Sequence, residues 1–245
     1  MGRITVHGDE IVTITLARHE VRHAFDRQML EEIAKALQSS HIVEARAVIV
    51  ASQGEHFCAG ADMCWLQNAR HLTDQKNREE TALLAFVLHT LDKIPVPVCA
   101  RIQGSVRGGG LGLVAACDSA IASHSASFAL SEVRIGVAPA CISPYVIPKI
   151  GISASRHYFL TGEQFSAARA YELGLVHQLT DDLDGAIALW SAAILAGAPQ
   201  AQRAAKRLED RVDGAALLAQ LRVSEEAQEG INAFLQKRAP NWIKK

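Results

Sequence analysis

The chain has 245 residues, of which 49% are hydrophobic and 21% charged, and its formal net charge is −1. These values are typical of a globular domain, with room for a smaller appended region. The balanced charge and an aromatic content of 5% argue against nucleic-acid binding and against an anionic membrane surface. No signal peptide and no uncharged apolar stretch of membrane-spanning length is visible, so we expect a cytoplasmic protein without membrane contact.

The cysteine pattern indicates reduced thiols and no metal site. Five cysteines are an odd number, none forms a Cys-x-x-Cys pair, and no cysteine and histidine share the spacing of zinc ligands. We therefore expect small core residues in a reducing compartment, without a metal or redox cofactor. The cysteines are Cys58, Cys64, Cys99, Cys117 and Cys141.

The N-terminal part predicts strands that alternate with helices. Residues 3–7 and 11–16 flank a Gly-Asp turn and predict a hairpin. An amphipathic helix is expected to begin after its N-cap, Asp26. The apolar positions of that helix are Met29, Leu30, Ile33 and Leu37. Residues 47–51 are entirely apolar and predict a strand covered on both sides.

Further elements are predicted up to residue 130. Asp62 is expected to cap a short helix that runs through Asn68, and the polar residues 71–77 predict a mobile loop. The apolar run 96–102 predicts a strand before the glycine turn Gly108–Gly110. The remaining elements in this part are helices at 78–91 and 111–117 and strands at 119–122 and 127–130.

This order of elements predicts an α/β protein with a mainly parallel sheet, followed by helices. We divide the chain into a core, residues 1–165, and a C-terminal helical region, residues 166–245. The glycines Gly162, Gly174, Gly197 and Gly230 are expected to cap or break the C-terminal helices. These helices are predicted at 143–150, 153–160, 167–173, 183–195, 201–211, 217–229 and 231–237.

Two turns of small residues indicate a site for a polarised carbonyl oxygen. One is Ala59-Gly60-Ala61-Asp62 and the other is Gly108–Gly110. Such turns leave backbone N–H groups free, and two that converge on one oxygen form an oxyanion hole. A nearby carboxylate, for which Glu132 is the candidate, would move protons. Either turn alone fits a tight strand-to-helix connection without a ligand, and neither matches a P-loop or a dinucleotide motif.

Three motifs resemble the crotonase (enoyl-CoA hydratase/isomerase) superfamily. They are Phe57–Asp62, Gln103–Leu113 and Ser131–Pro139, with further likeness at 161–162, 167–176 and 233–242. Residues 140–146 and Trp65 are similar to bacterial methylglutaconyl-CoA and isohexenylglutaconyl-CoA hydratases of leucine and isoprenoid degradation. The resemblance implies a spiral of ββα units with a C-terminal helical region that assembles homotrimers or hexamers.

The resemblance also assigns catalytic roles by position. The N–H groups of Ala61 and Gly109 match the oxyanion hole of the superfamily, and Glu132 matches the second of two glutamates that hold and activate water. Gly112 stands where these hydratases carry the first glutamate. One carboxylate would then have to make both proton transfers.

Contacts to coenzyme A are implied near the first turn. The resemblance places them at Arg22, Ala24, Ala59 and Asp62. Coenzyme A enters as part of the substrate, and no separate cofactor is implied. Arg107 is a candidate to bind a carboxylate of the acyl chain, although we favour an ion pair at the surface or between subunits.

The implied reaction is reversible addition of water to a branched, carboxylated enoyl-CoA of the 3-methylglutaconyl-CoA type. Loss of the first glutamate also fits a crotonase-type dehydratase, decarboxylase or isomerase acting on a glutaconyl thioester, including one bound to a carrier protein in polyketide β-branching. A non-enzymatic binding protein is a third alternative. The set of Ala61, Gly109 and Glu132 argues against it.

Overall fold

Two β-sheets surrounded by helices make up the computed structural model, which describes residues 2–208 and 213–244 and confirms the expected α/β class. The strands are β1 (Ile4–His7), β2 (Ile11–Leu16), β3 (Ala47–Ser52), β4 (Val98–Ile102), β5 (Ser105–Arg107), β6 (Ser119–Ala122), β7 (Ser127–Ala129), β8 (Gln164–Ser166) and β9 (Gln178–Leu179). The helices are α1 (Arg27–Leu37), α2 (Ser40–Val43), α3 (Met63–Asn68), α4 (Asp74–Lys93), α5 (Gly109–Ala115), α6 (Ser143–Thr161), α7 (Ala167–Glu172), α8 (Leu183–Ala196), α9 (Pro199–Lys206), α10 (Gly214–Arg222) and α11 (Glu225–Leu235).

The larger sheet has the strand order β1-β2-β3-β4-β6-β9. β1 and β2 form the predicted antiparallel hairpin, with Ile4 opposite Leu16. All the other pairs in this sheet are parallel, as expected. β3 is buried along its whole length, which its apolar sequence predicts for a strand covered on both faces.

A second sheet, in the order β5-β7-β8, carries the glycine turn. β5, β8 and β9 are not predicted from the sequence, because three or two residues are too few to show alternation. The glycine turn therefore follows β5, not the strand expected at 96–102. Both sheets include a strand beyond residue 163, and the division of the chain at residue 165 stays a prediction.

Two helices near the site begin earlier than predicted. The loop predicted at 71–77 is wrong for its second half, because α4 already begins at Asp74. The Thr73 hydroxyl caps α4 by accepting a hydrogen bond from the Lys76 N–H at 3.3 Å. α5 begins at Gly109, so the middle glycine of the turn is the first residue of that helix.

The C-terminal helices follow the prediction in part. α6 covers two predicted helices, and its backbone is non-helical between them at Gly151, with φ 77° and ψ 159°. The predicted break at Gly230 is wrong, since α10 ends at Arg222 and α11 continues through Gly230. There the Trp242 ring approaches so closely that a methyl group would lie 2.9 Å from it. The end of the helix predicted at 201–211 lies outside the described residues.

The main hydrophobic core includes side chains of the large sheet and side chains next to the two turns. Its largest fully buried side chains include Phe25, Phe57 and Phe128. None of the described helices has the length and apolar character needed to cross a bilayer. Within residues 2–208 and 213–244, no three His, Cys, Asp or Glu side chains are grouped so that they could hold a metal ion.

Candidate active site

The two turns of small residues lie against each other. Cys58 bridges to Val106 of β5, and the Arg107 N–H donates to the Cys58 carbonyl oxygen at 2.9 Å. A methyl group on Gly60 would lie 2.8 Å from the Arg107 carbonyl oxygen and 3.6 Å from the Gly109 nitrogen. Gly60 also has a φ of 86°, which residues other than glycine rarely adopt. Glycine is therefore required where the turns meet.

The N–H groups at the predicted oxyanion positions are free to donate. Ala61 bridges to Phe25, and the Phe25 N–H and carbonyl oxygen bond to the residues on either side of Ala61 at 2.8 and 3.0 Å. Gly109 begins α5, where an N–H has no acceptor within the helix. Among the described residues, none accepts a hydrogen bond from the N–H of Ala61 or Gly109.

A cavity of about 380 Å³ opens at these two N–H groups. Its wall includes Ala59, Ala61, Gly109 and Glu132, so the structure brings four of the predicted site residues together. Most of the other wall residues are apolar, among them Phe25, Trp65, Leu84, Val137, Pro139 and Ile142. Glu132 is the single carboxylate in the described part of the wall.

Glu132 presents its carboxylate beside the glycine turn. It is the first residue of a 3-10 helix, Glu132–Ile135, that follows β7. A methyl group on Gly108 would lie 3.3 Å from Glu132 Oε1. Glu132 Oε2 is buried, and no group in the described part of the chain forms a hydrogen bond with it. Burial raises the pKa of this carboxyl, so its proton is held more tightly than that of an ordinary glutamate.

Apolar side chains fill the space beside Gly112. A methyl group built on Gly112 would overlap the Ile142 side chain and would lie 3.4 Å from Leu88 Cδ1. Ile142 is buried and also lies in the cavity wall. The position where the resemblance expects a first glutamate therefore has no room for one.

A protein-family model described as enoyl-CoA hydratase/isomerase matches residues 7–245. The chain belongs to the enoyl-CoA hydratase/isomerase family. The crystal structure of an enoyl-CoA hydratase from Shewanella pealeana has a TM-score of 0.92 and 36% identity, over 98% of this chain and 96% of its own. The cyclohexa-1,5-dienecarbonyl-CoA hydratase of Thauera aromatica is 30% identical over 95% of this chain and 92% of its own. The bacillaene synthase dehydratase PksH of Bacillus subtilis is 31% identical over 70% of this chain and 66% of its own.

Family membership establishes several of the expectations. The crotonase fold is confirmed, and the chain is an enzyme of the hydratase type. An acyl-CoA thioester is the substrate class consistent with this family.

Of the residues expected to contact coenzyme A, Ala59 and Asp62 belong to the first turn, and Arg22 and Ala24 belong to the segment bonded to it. Arg22 is exposed, and its carbonyl oxygen accepts a hydrogen bond from the Ala59 N–H at 2.9 Å. Ala24 is buried, and its carbonyl oxygen accepts from the Arg18 guanidinium. Asp62 caps α3 by accepting from the Cys64 N–H at 2.8 Å, as predicted. Coenzyme A binding by these residues stays a prediction.

Arg107 borders the cavity, but its guanidinium is bound elsewhere. It donates to the Ser127 carbonyl oxygen at 2.7 Å, to the Ser127 hydroxyl at 3.0 Å and to Gln164 Oε1 at 2.7 Å. These contacts connect β5, β7 and β8. Within the described chain the Arg107 guanidinium thus forms hydrogen bonds to neutral acceptors in place of a surface ion pair. An ion pair between subunits stays a prediction.

Two charged residues that the sequence does not single out, Arg27 and Glu80, support the cavity wall. The Trp65 indole N–H donates to Glu80, which also accepts from Arg27 at 2.6 Å. Trp65 in turn packs edge-on against Phe25, with ring centroids 6.2 Å apart. Arg27, Trp65 and Glu80 come from α1, α3 and α4, and the two charges follow no motif in the sequence.

The cysteines near the site are packing residues, as expected. Cys58 is fully buried and donates to the His23 carbonyl oxygen at 3.1 Å, and burial raises the pKa of its thiol to about 12. Burial also raises the pKa of Cys141, which lies in the cavity wall. Neither thiol is activated as a nucleophile.

Proposed function

We propose that this enzyme hydrates an enoyl thioester with a single glutamate, Glu132, and an oxyanion hole formed by the N–H groups of Ala61 and Gly109. One observation carries the proposal. The buried Glu132 Oε2 has no partner among the described residues and shares a cavity wall with both free N–H groups. An unpartnered buried carboxylate with a raised pKa is suited to proton transfer.

The proposed reaction begins with the thioester carbonyl oxygen accepting hydrogen bonds from Ala61 and Gly109. Glu132 as carboxylate takes a proton from water, and the water oxygen attacks the β-carbon. The electron pair of the double bond moves to the carbonyl oxygen as an enolate, which the two N–H groups stabilise. The protonated Glu132 then returns its proton to the α-carbon, so that one water molecule is added in total.

Because one carboxylate makes both transfers, the two new bonds form on the same face of the double bond. The apolar contacts of Ile142 and Leu88 beside Gly112 support this arrangement, since they leave no second carboxylate in the described part of the cavity wall. Each oxyanion donor in such a site contributes about a hundredfold to a thousandfold to the rate.

A dehydratase, decarboxylase or isomerase with the same oxyanion hole is the second candidate. The observation that favours it is again Gly112, because a fixed second carboxylate for holding water is absent from the described wall. A relative bearing the name dehydratase, PksH, agrees with this alternative. It includes thioesters carried on a protein as well as on coenzyme A.

The acyl group is the finer part of the proposal. A branched chain fits a cavity whose wall is mostly apolar. The carboxylated, 3-methylglutaconyl type would need a cation, and Arg107 is the one cationic residue in the described wall. Since its guanidinium is bound to Ser127 and Gln164, this substrate would require a change in those contacts.

Product mass is the deciding measurement. The purified enzyme is incubated with crotonyl-CoA, 3-methylcrotonyl-CoA and 3-methylglutaconyl-CoA, and the mass of each product is measured by mass spectrometry. A gain of one water supports a hydratase, or a dehydratase acting in reverse, whereas loss of carbon dioxide supports a decarboxylase and an isomer of unchanged mass supports an isomerase. Turnover of only the two substrates whose acyl chains lack a carboxylate would exclude the carboxylated acyl group.

We also propose that the enzyme forms a homotrimer or hexamer and lies in the cytoplasm. Analytical ultracentrifugation tests the assembly, and cell fractionation tests the location.

A further inference from the structure

A buried arginine, Arg18, joins the segments from which α1 and α3 begin. Its side chain is 9% exposed. The guanidinium donates to the Ala24 carbonyl oxygen at 2.6 Å, and it lies 3.2 Å from Asp26 Oδ2 and 3.0 Å from Asp62 Oδ2. One cation thus holds two carboxylates that are far apart in the sequence.

Both aspartates already cap a helix with their other oxygen. Asp26 Oδ1 accepts from the Met29 N–H at 2.9 Å, and Asp62 Oδ1 accepts from the Cys64 N–H at 2.8 Å. Burial opposes ionisation of Asp62, but hydrogen bonds from Cys64 and Arg18 outweigh it and leave its pKa lowered. The first residues of α1 and α3 are therefore fixed relative to each other by a charge-assisted bridge.

The backbone of Arg18 also holds a strained segment. Arg22 and His23 have positive φ values of 52° and 57°, which residues with a side chain rarely adopt. The Arg18 N–H donates to His23 Nδ1 at 3.1 Å, and the Arg18 carbonyl oxygen accepts from the His23 N–H at 2.8 Å. His23 Nε2 donates to the Gln53 carbonyl oxygen at 2.7 Å. The surrounding bonds thus hold a conformation that the chain would otherwise leave.

This strained segment lies directly against the first turn. The Ala59 N–H donates to the Arg22 carbonyl oxygen at 2.9 Å, and Phe25 bonds to the neighbours of Ala61 on both sides. Arg18 contacts the strained segment at Ala24 and the first turn at Asp62. Its guanidinium thereby connects the two segments, residues 22–25 and the first turn, whose backbone hydrogen bonds flank the Ala61 N–H.

We propose that Arg18 is a positioning residue of the oxyanion hole, and that its bridge between Ala24, Asp26 and Asp62 fixes the direction of the Ala61 N–H. This inference rests on the proposed function, because it assigns Ala61 to a thioester oxygen. Arg18 itself lies outside the described cavity wall and acts through the backbone of the first turn.

The expected effect is on the transition state more than on substrate binding. Replacement Arg18→Met removes the cation that the partly buried Asp26 and Asp62 share. Asp26 keeps its contact with the Arg3 guanidinium at 3.2 Å, whereas Asp62 loses its cation, and the first turn relaxes. Misplacement of a reacting group by about 1 Å can reduce the rate about a hundredfold. We therefore expect kcat to fall between about tenfold and a hundredfold with KM within about threefold. Arg18→Lys keeps the positive charge but lacks the planar guanidinium group. Its kcat is expected to lie between those of wild type and Arg18→Met.

The deciding measurement is the infrared carbonyl stretch of a bound thioester labelled with ¹³C at the carbonyl carbon. The probe is butyryl-CoA, which has no double bond to hydrate. Wild type should lower the stretching frequency of the bound carbonyl relative to that of the free thioester, because the oxyanion donors polarise it. In Arg18→Met the frequency should return toward the free value, and in Arg18→Lys it should return in part.

Arg46→Met is the matched control. Arg46 is also a partly buried arginine, and its guanidinium donates to the carbonyl oxygens of Ile194 and Gly197 at 3.1 and 2.6 Å, away from the cavity. It should lower the melting temperature without changing the carbonyl frequency. Suppose that wild type lowers the carbonyl frequency and Arg18→Met lowers it equally: Arg18 then has no positioning role. Where Arg18→Met does not fold, an equal frequency in Arg18→Lys leads to the same conclusion. If wild type itself gives no shift, the oxyanion hole and the proposed function fail first.

Discussion

The two sides of the candidate site are built in different ways. On the donor side, the N–H groups of Ala61 and Gly109 belong to backbone segments that bond to each other and to residues 22–25. On the proton-transfer side, one carboxylate, Glu132, faces apolar neighbours and leaves one oxygen without a partner in the described chain. The first side is fixed at many points and the second at few.

This difference shows where a fold of this kind can vary. Changing the donor side disturbs glycines that have no space for a side chain, such as Gly60 and Gly109. Changing the proton-transfer side needs only a change of side chains, and Gly112 with Ile142 is one such pair. We therefore expect the donor side to vary little within the family, whereas side chains on the proton-transfer side can change with the reaction.

Removing the carboxylate of Glu132 should have the largest effect. Glu132→Gln keeps the shape but can neither take nor return a proton, and we expect kcat to fall by about a thousandfold or more. Binding of butyryl-CoA should persist, because the donor side is untouched. Steady-state kinetics and calorimetric titration test both statements. Hydration at the wild-type rate would show that another group moves the proton.

The same variant has an expected signature in stability. Because burial raises the folded pKa of Glu132, the wild-type free energy of unfolding falls as the pH rises from the ordinary glutamate pKa, about 4.3, through this raised value. Glu132→Gln lacks this loss. Its melting temperature should therefore equal that of wild type at low pH and exceed it at neutral pH. Scanning calorimetry against pH checks the sign, and a variant less stable at neutral pH would contradict it.

Disturbing the donor side should have the next largest effect. A methyl group on Gly109 would overlap the Phe25 ring, which is buried and packed against Trp65. Gly109→Ala should displace one oxyanion donor and reduce kcat between about tenfold and a hundredfold. Gly214→Ala, at a helix start with no described atom within 4 Å of the new methyl group, is the control and should be neutral. Equal rates for both variants would mean that Gly109 is not an oxyanion donor.

Adding a carboxylate at Gly112 tests the other side. Gly112→Glu alone overlaps Ile142, and overpacking of this kind costs about 1–3 kcal/mol of stability. We expect a loss of about tenfold in kcat/KM and a lower melting temperature. The double variant Gly112→Glu with Ile142→Ala makes room and should recover activity relative to the single variant. A single variant that is as stable and active as wild type would show that the space is not filled.

The donor side could be predicted from the sequence because its signals are local. Small residues that follow apolar strands mark both turns, and Asp26 and Asp62 were identified as helix caps from residue type alone. The three-residue strand β5 left no alternation to detect, which is why the glycine turn was attached to the wrong strand. Glu132 is a candidate from its place after the glycine turn, and its match to the second glutamate comes from the resemblance.

The remaining features depend on contacts between distant parts of the chain. Arg18 and Asp62 are 44 residues apart, and neither residue type specifies that partner. Likewise, the filling of the space beside Gly112 by Ile142 follows from how α6 begins against α5, which no periodicity describes. Such contacts are set by packing, so the sequence shows the residues but not their pairing.

The smallest effect on activity is expected at Arg107, which borders both sides of the site. Its guanidinium forms hydrogen bonds between strands of the second sheet. Arg107→Met should therefore lower the free energy of unfolding by about 2 kcal/mol, because these charge-assisted hydrogen bonds are lost. The rates on 3-methylcrotonyl-CoA and 3-methylglutaconyl-CoA should change by the same factor, within about threefold. Arg101→Met, where the arginine pairs with the exposed Asp184 at 2.8 Å, is the surface control. A selective loss on the carboxylated thioester would instead mean that Arg107 leaves Ser127 and Gln164 to bind the acyl chain, because these two thioesters differ only by the carboxylate.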